Sequence, residues 1–482
     1  MSKEVSNKTK KGLYWDLAGS FFRQFSSVFI SIILARLLSP EEFGVVGMAL
    51  VFVSITEVFI DVGFTSGLIQ IKEVKDIVYS SIFFVNLGIS IFLSLVIILI
   101  APYVAQFYRE PQVGTVLIYL ALIPPIAALG RVQSTILTKN MDFKSLSIRD
   151  ILSTFIGGAA GVTGAILGMG VFSLVLLQVI RVLADTILLW LSTDWRPKWE
   201  FSGKEVQSLL GYSSYVFFDQ ALRQIFNKID TIFIGKVFST ATLGFYSRAD
   251  SLKSQIDTYT TNSLRKVMFP ALSALQDNQH SFEKAYHRAF NIVTGAIVLL
   301  VGPIYFLSEE IIIGLLGAKW RPSIIIFQVL LFSTLTSPHI GMMAQAVLAK
   351  GYSKLKFNIG LIQRFLKLTP IAFGLLFGNV EIFAMAVVGA STTVFFVYAF
   401  VVHKRLNLDF GRQMKDFFVP NILFFAFIAI FYFFREYINP WIYAALFFIS
   451  NMAFLKILKH ESYYLIKDTF KSVNQKISKF KR

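Results

Sequence analysis

The chain has 482 residues, of which 55% are hydrophobic and only 16% charged, against about 25% charged in ordinary soluble domains. That excludes a disordered chain, a fibrous protein and a typical soluble enzyme. The formal net charge of +17 is spread over many short connections, so it argues for no nucleic-acid partner.

The apolar runs are continuous and about 20 residues long, as helices crossing a bilayer require. Strands would alternate instead. The pattern predicts an all-α polytopic membrane protein of about 14 transmembrane helices, near 13–35, 43–70, 78–106, 113–137, 149–168, 171–192, 209–235, 243–264, 289–312, 323–348, 357–377, 381–402, 416–434 and 440–458. The second, seventh and eighth carry charges.

The N-terminus is basic (Lys3, Lys8, Lys10, Lys11) and leads straight into a full span, so no cleavable signal peptide is evident. With this end in the cytoplasm, the cytoplasmic segments hold 31 Lys and Arg and the opposite ones 6. Positive residues stay inside, so both termini are expected in the cytoplasm. The longest hydrophilic segments, 194–208 and 265–288, fall on the same side.

The first span places Asp16, Ser20, Arg23 and Ser27 on one helical face. The second carries Glu57 and Asp61 one turn apart. Pro124-Pro125, Pro303 and Pro338 are expected to kink their helices. In the fifth span Gly157, Gly161, Gly164 and Gly168 form a small-residue face for close packing. Arg181 and Asp185 are one turn apart in the sixth and read as an ion pair.

The seventh span places Asp219, Arg223, Asn227 and Asp230 on one face, widened by Gln220, Gln224 and Lys228. The eighth is polar almost all round, with Arg248, Asp250, Lys253, Gln255 and Asp257. It must line water or be enclosed by protein. Two readings of these groups stay open. One is a hydrated cavity lined by the first, second, seventh and eighth helices, whose guanidinium groups attract an anion. The other is intramembrane ion pairing without a ligand.

Residues Gly19–Ala49 lie on Asp219–Ala249 at an offset of 200 without a gap. Arg23-Gln24 falls on Arg223-Gln224, Ser39 on Ser239 and Gly44 on Gly244. Both segments begin a set of six helices in the same orientation, an architecture of parallel repeats found in transporters. The expected organisation is a lobe over 1–193, a cytoplasmic linker over 194–208, a second lobe over 209–403, two accessory helices over 404–458 and a basic tail over 459–482. That tail either lies on the anionic leaflet or is solvated.

Chemistry that would mark an enzyme is absent. There is no phosphate-binding P-loop, no GxSxG, no metal spacing among the five histidines and no cysteine. No metal or cofactor is expected, and the protein is read as not an enzyme. His280 and His287 are expected to be solvated.

The motif ARLLSPEEFG at Ala35–Gly44, followed by DVGFTSGLIQ and, at Gly244–Leu252, GFYSRADSL, resembles bacterial polysaccharide transporters. These are the Wzx-type lipopolysaccharide and exopolysaccharide flippases of the multidrug/oligosaccharidyl-lipid/polysaccharide exporter superfamily. The resemblance implies two six-helix lobes with two accessory helices. It also implies movement of undecaprenyl-diphosphate-linked oligosaccharide to the outer leaflet of the bacterial inner membrane, among membrane lipids and beside polysaccharide polymerases and glycosyltransferases. The family's cationic cavity would correspond to Arg23, Arg223 and Arg248, with Lys228 beside them. Asp61, Asp219 and Asp230 are candidates for ion coupling, because buried carboxylates can titrate near neutral pH. The alternatives are a multidrug cation antiporter, which would favour an acidic cavity, and a polytopic envelope glycosyltransferase or polymerase.

Overall fold

The structure is a computed structural model of the chain. It describes residues 3–61, 64–71, 74–434, 436–458, 461–464 and 467, without the side chains of 3–14, 16–18, 61, 66, 70, 208–219, 259, 262–263 and 265–266. The chain divides into two compact units, Met1–Ser247 and Arg248–Arg482.

The first unit holds α1 (Lys3–Leu37), α2 (Pro40–Asp61), α3 (Phe64–Gln70), α4 (Asp76–Tyr108), α5 (Pro111–Leu120), α6 (Ile123–Lys139), α7 (Phe143–Ile166), α8 (Val171–Leu191) and α9 (Gly203–Val237). Helix α10 (Thr240–Ser273) starts in it and runs into the second. The second unit continues with α11 (Gln279–Phe306), α12 (Ser308–Leu316), α13 (Ser323–Ala349), α14 (Ser353–Leu366), α15 (Thr369–Phe377), α16 (Val380–Leu406), α17 (Phe410–Phe434) and α18 (Pro440–Ile457). No strand occurs among the described residues.

Among the described residues, 11 helical stretches are long and apolar enough to cross a membrane, with α5–α6 and α14–α15 each counted as one. The protein is therefore a multi-pass membrane protein. Helices α7, α9 and α10 have 24, 35 and 34 residues, long enough to cross but too polar to be among the 11. Together they are compatible with fourteen passes. The charged second span proves apolar enough, and it is the fifth that joins the seventh and eighth as the polar ones.

Proline sets several of the boundaries. Pro111 opens α5 and Pro370 opens α15, positions where a missing N–H costs no helical bond. At Pro124-Pro125 the expected kink is a full break between α5 and α6. Helices α11 and α13 continue through Pro303 and Pro338. Asparagine caps open α11, α16 and α18: Asn278, Asn379 and Asn439 accept from the backbone N–H groups of Ser281, of Glu381 and Ile382, and of Trp441.

The offset of 200 reappears as geometry. Helices α1 and α9 each have 35 residues and end at Leu37 and Val237, while α2 and α10 start at Pro40 and Thr240. The turns carry matching caps. The Ser39 hydroxyl accepts from Glu42 N–H at 3.3 Å, and the Ser239 hydroxyl from Thr242 N–H at 3.1 Å. Glu42 completes a capping box by accepting from Ser39 N–H at 2.6 Å. The two helix starts then meet reciprocally. A Cβ on Gly44 would strike the Thr240 carbonyl oxygen, and one on Gly244 would strike the Pro40 carbonyl oxygen. Position 44 meets 240 as 244 meets 40, the relation of a local two-fold axis.

In the first unit α7 packs between α1 and α8. The fifth-span glycines make this possible. A Cβ on Gly157 would come within 2.8 Å of both the Arg181 Cα and the Leu177 carbonyl, and one on Gly161 within 2.7 Å of the Leu177 Cβ. Gly158 faces Ile30 of α1. Gly168, expected on the same face, lies beyond the helix with φ 76°. In the second unit α11 is packed by α13, α17 and α18. The Phe306 ring lies 5.1–6.3 Å from those of Tyr443, Phe431, Phe447 and Phe424, which holds the two C-terminal helices on the unit. His287, expected to be solvated, is fully buried on α11 with Nδ1 3.2 Å from Asp416. The helix starts ten residues before its apolar run and carries this histidine inside.

The glycine packing gives a direct test. Gly157→Ala should destabilise the purified protein by about 1–3 kcal/mol through overpacking. Gly88→Ala, on α4 with nothing within 4 Å, should be neutral or stabilising. Thermal unfolding in detergent measures both, and equal melting temperatures would contradict the close α7–α8 contact.

Candidate functional site

The polar groups of the first unit form a connected band across six helices. It begins on α1, where Arg23 Nη1 donates to Asp150 Oδ2 of α7 at 2.8 Å. The other oxygen of Asp150 accepts from Arg149 Nη2 at 2.6 Å. Arg149 Nε lies 3.1 Å from Asp185 Oδ1 of α8, which also accepts weakly from the Ser153 hydroxyl at 3.4 Å. The α1–α7 contact is fixed beside this chain, because the Ser147 hydroxyl donates to the Trp15 carbonyl at 2.9 Å and Ser147 packs against Gly19.

The band continues electrostatically. Arg181 of α8 acts on Asp185 and also on Glu57 of α2. Arg131 of α6 and Lys228 of α9 also act electrostatically on Glu57. Nearby, Gln224 Nε2 donates to the Ser54 carbonyl at 3.1 Å and ties α9 to α2. Along this band the described residues supply five cations, Arg23, Arg131, Arg149, Arg181 and Lys228, against three carboxylates, Glu57, Asp150 and Asp185.

The residues singled out from sequence are distributed unevenly around it. Arg23 is engaged with Asp150, its side chain 41% exposed. Lys228 belongs to the Glu57 group. Arg223 is exposed on α9, and Asp230 is half-buried there. Arg248 lies at the start of the second unit, on the part of α10 where Lys253 Nζ pairs with Asp257 at 2.8 Å. The side chains of Asp61 and Asp219 lie outside the described residues. Asp185 is ion-paired to Arg149, with Arg181 one turn away acting on it as well.

Arg149 and Asp150 were missed at the sequence level, Arg149 being grouped with the cytoplasmic connection. Their signal was an adjacent Arg-Asp pair at the head of a span. Arg149 is only 13% exposed and bridges two carboxylates, which places it at the centre of the chain. Outside the membrane span of α8, the same unit shows an ordinary surface pair: Lys198 donates to Asp76 at 2.9 Å, and this bond raises the lysine pKa.

The fold is that of known membrane carriers. The structure of the lipid II flippase MurJ in an inward closed conformation superposes with a TM-score of 0.72 at 14% identity, over 92% of this chain and 99% of that one. An inward-facing multidrug resistance transporter of the MATE family superposes with a TM-score of 0.63 at 14% identity, over 80% and 94%.

The profile of the polysaccharide biosynthesis protein family matches residues 33–325, and the chain belongs to that family. The match includes every member of the band except Arg23. Among its relatives is the succinoglycan biosynthesis transport protein ExoT of Rhizobium meliloti, 26% identical over 66% of this chain and 65% of its own length, just under two thirds of that relative. The lipopolysaccharide biosynthesis protein WzxC of Escherichia coli is 19% identical over 77% of this chain and 76% of its own. The teichuronic acid biosynthesis protein TuaB of Bacillus subtilis is 22% identical over 74% and 72%.

The two arginines of the ion-paired chain should differ in stability cost. Arg149→Ala removes the one guanidinium that touches both Asp150 and Asp185, and it is the least exposed of the group at 13%, so the loss should approach the cost of breaking a buried pair. Arg23→Ala removes a more exposed partner and leaves Asp150 with Arg149. Melting temperatures of the two purified variants should therefore fall far more for Arg149→Ala. An equal or reversed order would contradict the arrangement.

Proposed function

We propose that the protein is a flippase. It moves undecaprenyl-diphosphate-linked oligosaccharide from the cytoplasmic to the outer leaflet of the bacterial inner membrane, by alternating access. The observation that supports this reading is the convergence of two guanidinium groups, Arg23 on α1 and Arg149 on α7, on the two carboxylate oxygens of Asp150. Guanidinium groups bind carboxylate and phosphate oxygens in the same forked geometry, so a site that holds a carboxylate in this way also suits a diphosphate. Arginines facing the cargo also disfavour the multidrug antiporter reading, since they would repel a cationic drug. The names of the family and of its relatives, drawn from succinoglycan, lipopolysaccharide and teichuronic acid synthesis, agree with a polysaccharide precursor as cargo.

In this reading Arg23, Lys228, Arg223 and Arg248 contact the substrate, and Asp61, Asp219 and Asp230 couple transport to an ion. The working parts are the lobes 1–193 and 209–403, joined by the 194–208 linker and followed by accessory helices over 404–458. Polymerases and glycosyltransferases are the expected neighbours, and the protein itself performs no catalysis. The reciprocal Gly44–Thr240 and Gly244–Pro40 contact then lies at the outer end of the first helix of each lobe. It closes the outward path, and it must part when the site opens outward.

Orientation is checked with introduced cysteines, which the cysteine-free chain makes unambiguous. In intact cells, cysteine at exposed Glu200 should be shielded from an impermeant thiol reagent, and cysteine at exposed Tyr437 should react. The opposite pattern would invert the topology.

Transport is tested in proteoliposomes with a labelled lipid-linked oligosaccharide. Wild type should translocate it. Arg223→Ala should abolish movement at normal protein level, and Arg223→Lys should restore only part, because lysine keeps the charge and loses the fork. Full activity of Arg223→Ala would remove that residue from the site. Cysteines at Leu37 and Val237, both exposed, joined by a short crosslinker should stop transport, and release should restore it. A crosslinked protein that still transports would contradict the gate.

A further inference from the structure

The ion-paired chain on α1, α7 and α8 has a feature that substrate attraction alone does not require. Asp150 presents one oxygen to Arg23 and the other to Arg149. Two guanidinium groups from different helices converge on one anion, the arrangement expected around a phosphate. Arg23 is 41% exposed and Asp150 25%, whereas Arg149 is 13% exposed and anchored on its far side by Asp185. One half of the clamp is accessible and the other half is fixed.

We propose that Asp150 is an internal stand-in for the substrate's diphosphate, holding Arg23 in the empty carrier and releasing it when an isoprenyl diphosphate arrives. The proposal rests on the flippase reading, and it assigns Asp150 and Arg149 as positioning residues within that site.

If Arg23 turned to a ligand from an isolated pair, it would abandon a bare carboxylate within the membrane, at a cost that could cancel the gain. Here Arg149 remains 2.6 Å from Asp150 and keeps it neutralised. The exchange replaces one carboxylate on Arg23 by one phosphate, and no charge loses its last partner. In the empty carrier the same pair keeps Arg23 from standing as an uncompensated cation. The apparent affinity for substrate is correspondingly reduced by the fraction of time Arg23 spends on Asp150. For a carrier this is useful, because the same competitor helps to displace the diphosphate on the far side.

The test is equilibrium binding of radiolabelled farnesyl diphosphate to the purified full-length protein in detergent, with farnesyl monophosphate and inorganic pyrophosphate as comparisons. Asp150→Asn should bind farnesyl diphosphate about tenfold more tightly than wild type, since the competitor is gone. The gain should be smaller for the monophosphate. It should persist for inorganic pyrophosphate if the diphosphate group alone is recognised, and a gain confined to pyrophosphate would overturn the isoprenyl assignment. Arg23→Ala in the Asp150→Asn background should erase the gain.

In proteoliposomes Asp150→Asn should lower KM and kcat together, because tighter holding slows release. A merely structural role would leave KM unchanged or raise it. If Asp150→Asn does not accumulate, Asp150→Asn with Arg149→Gln removes one charge of each sign and should show the same tightening.

Binding by Asp150→Asn no tighter than wild type, in a protein where Arg23→Ala weakens binding, would overturn the exchange and leave the flippase reading standing. Binding indifferent to Arg23→Ala in the wild-type background would overturn the place of Arg23 in the substrate site, and the exchange with it.

Discussion

A charge placed among membrane helices must find its opposite within the protein, because the hydrocarbon offers it nothing. The first unit is organised around that requirement. Arg149 is held between Asp150 and Asp185, Asp150 is shared with Arg23, and Arg181 acts electrostatically on both Asp185 and Glu57. Six helices are thereby committed to one electrostatic band. The lipid-facing surface around it carries large apolar side chains such as Phe92, Leu99 and Leu167.

Close approach of helices is the second condition, and glycine supplies it. The Arg149–Asp185 ion pair between α7 and α8 is short because Gly157 and Gly161 let the backbone of α8 come into contact. The same device, used between the starts of α2 and α10, gives a contact with almost no side-chain interlocking. Backbone against glycine packs well when closed and separates without disentangling side chains, which suits the opening that the proposed alternating access would require. Both glycines stand at the fifth position of their helices, 200 residues apart. The duplicated element therefore supplies both halves of this contact.

Much of this architecture was legible in the sequence. Helix positions followed from apolar runs of bilayer length, and the offset of 200 from residues such as Ser39 and Ser239, whose capping role is local. What escaped was whatever depends on contacts between distant segments. Arg23 and Asp150 are 127 residues apart, and no periodicity links them. Arg149 sits at the head of a span, where a basic residue that faces water and one that turns inward look alike. His287 was misread because hydropathy marks the stretch that touches lipid, while α11 begins earlier and buries its first turns against α17. The break between α5 and α6 was foreshadowed by two prolines, but whether such a pair kinks or ends a helix is decided by packing.

The central claim is that the intramembrane band selects an anion. The most direct measurement is the thermal stability of the purified wild-type protein with two amphiphiles of opposite charge. A ligand that binds the folded state raises its melting temperature in proportion to occupancy. Farnesyl diphosphate should raise it in a concentration-dependent way that high salt weakens, while a lipophilic cation such as tetraphenylphosphonium should leave it unchanged. Stabilisation by the cation without stabilisation by the diphosphate would contradict the account.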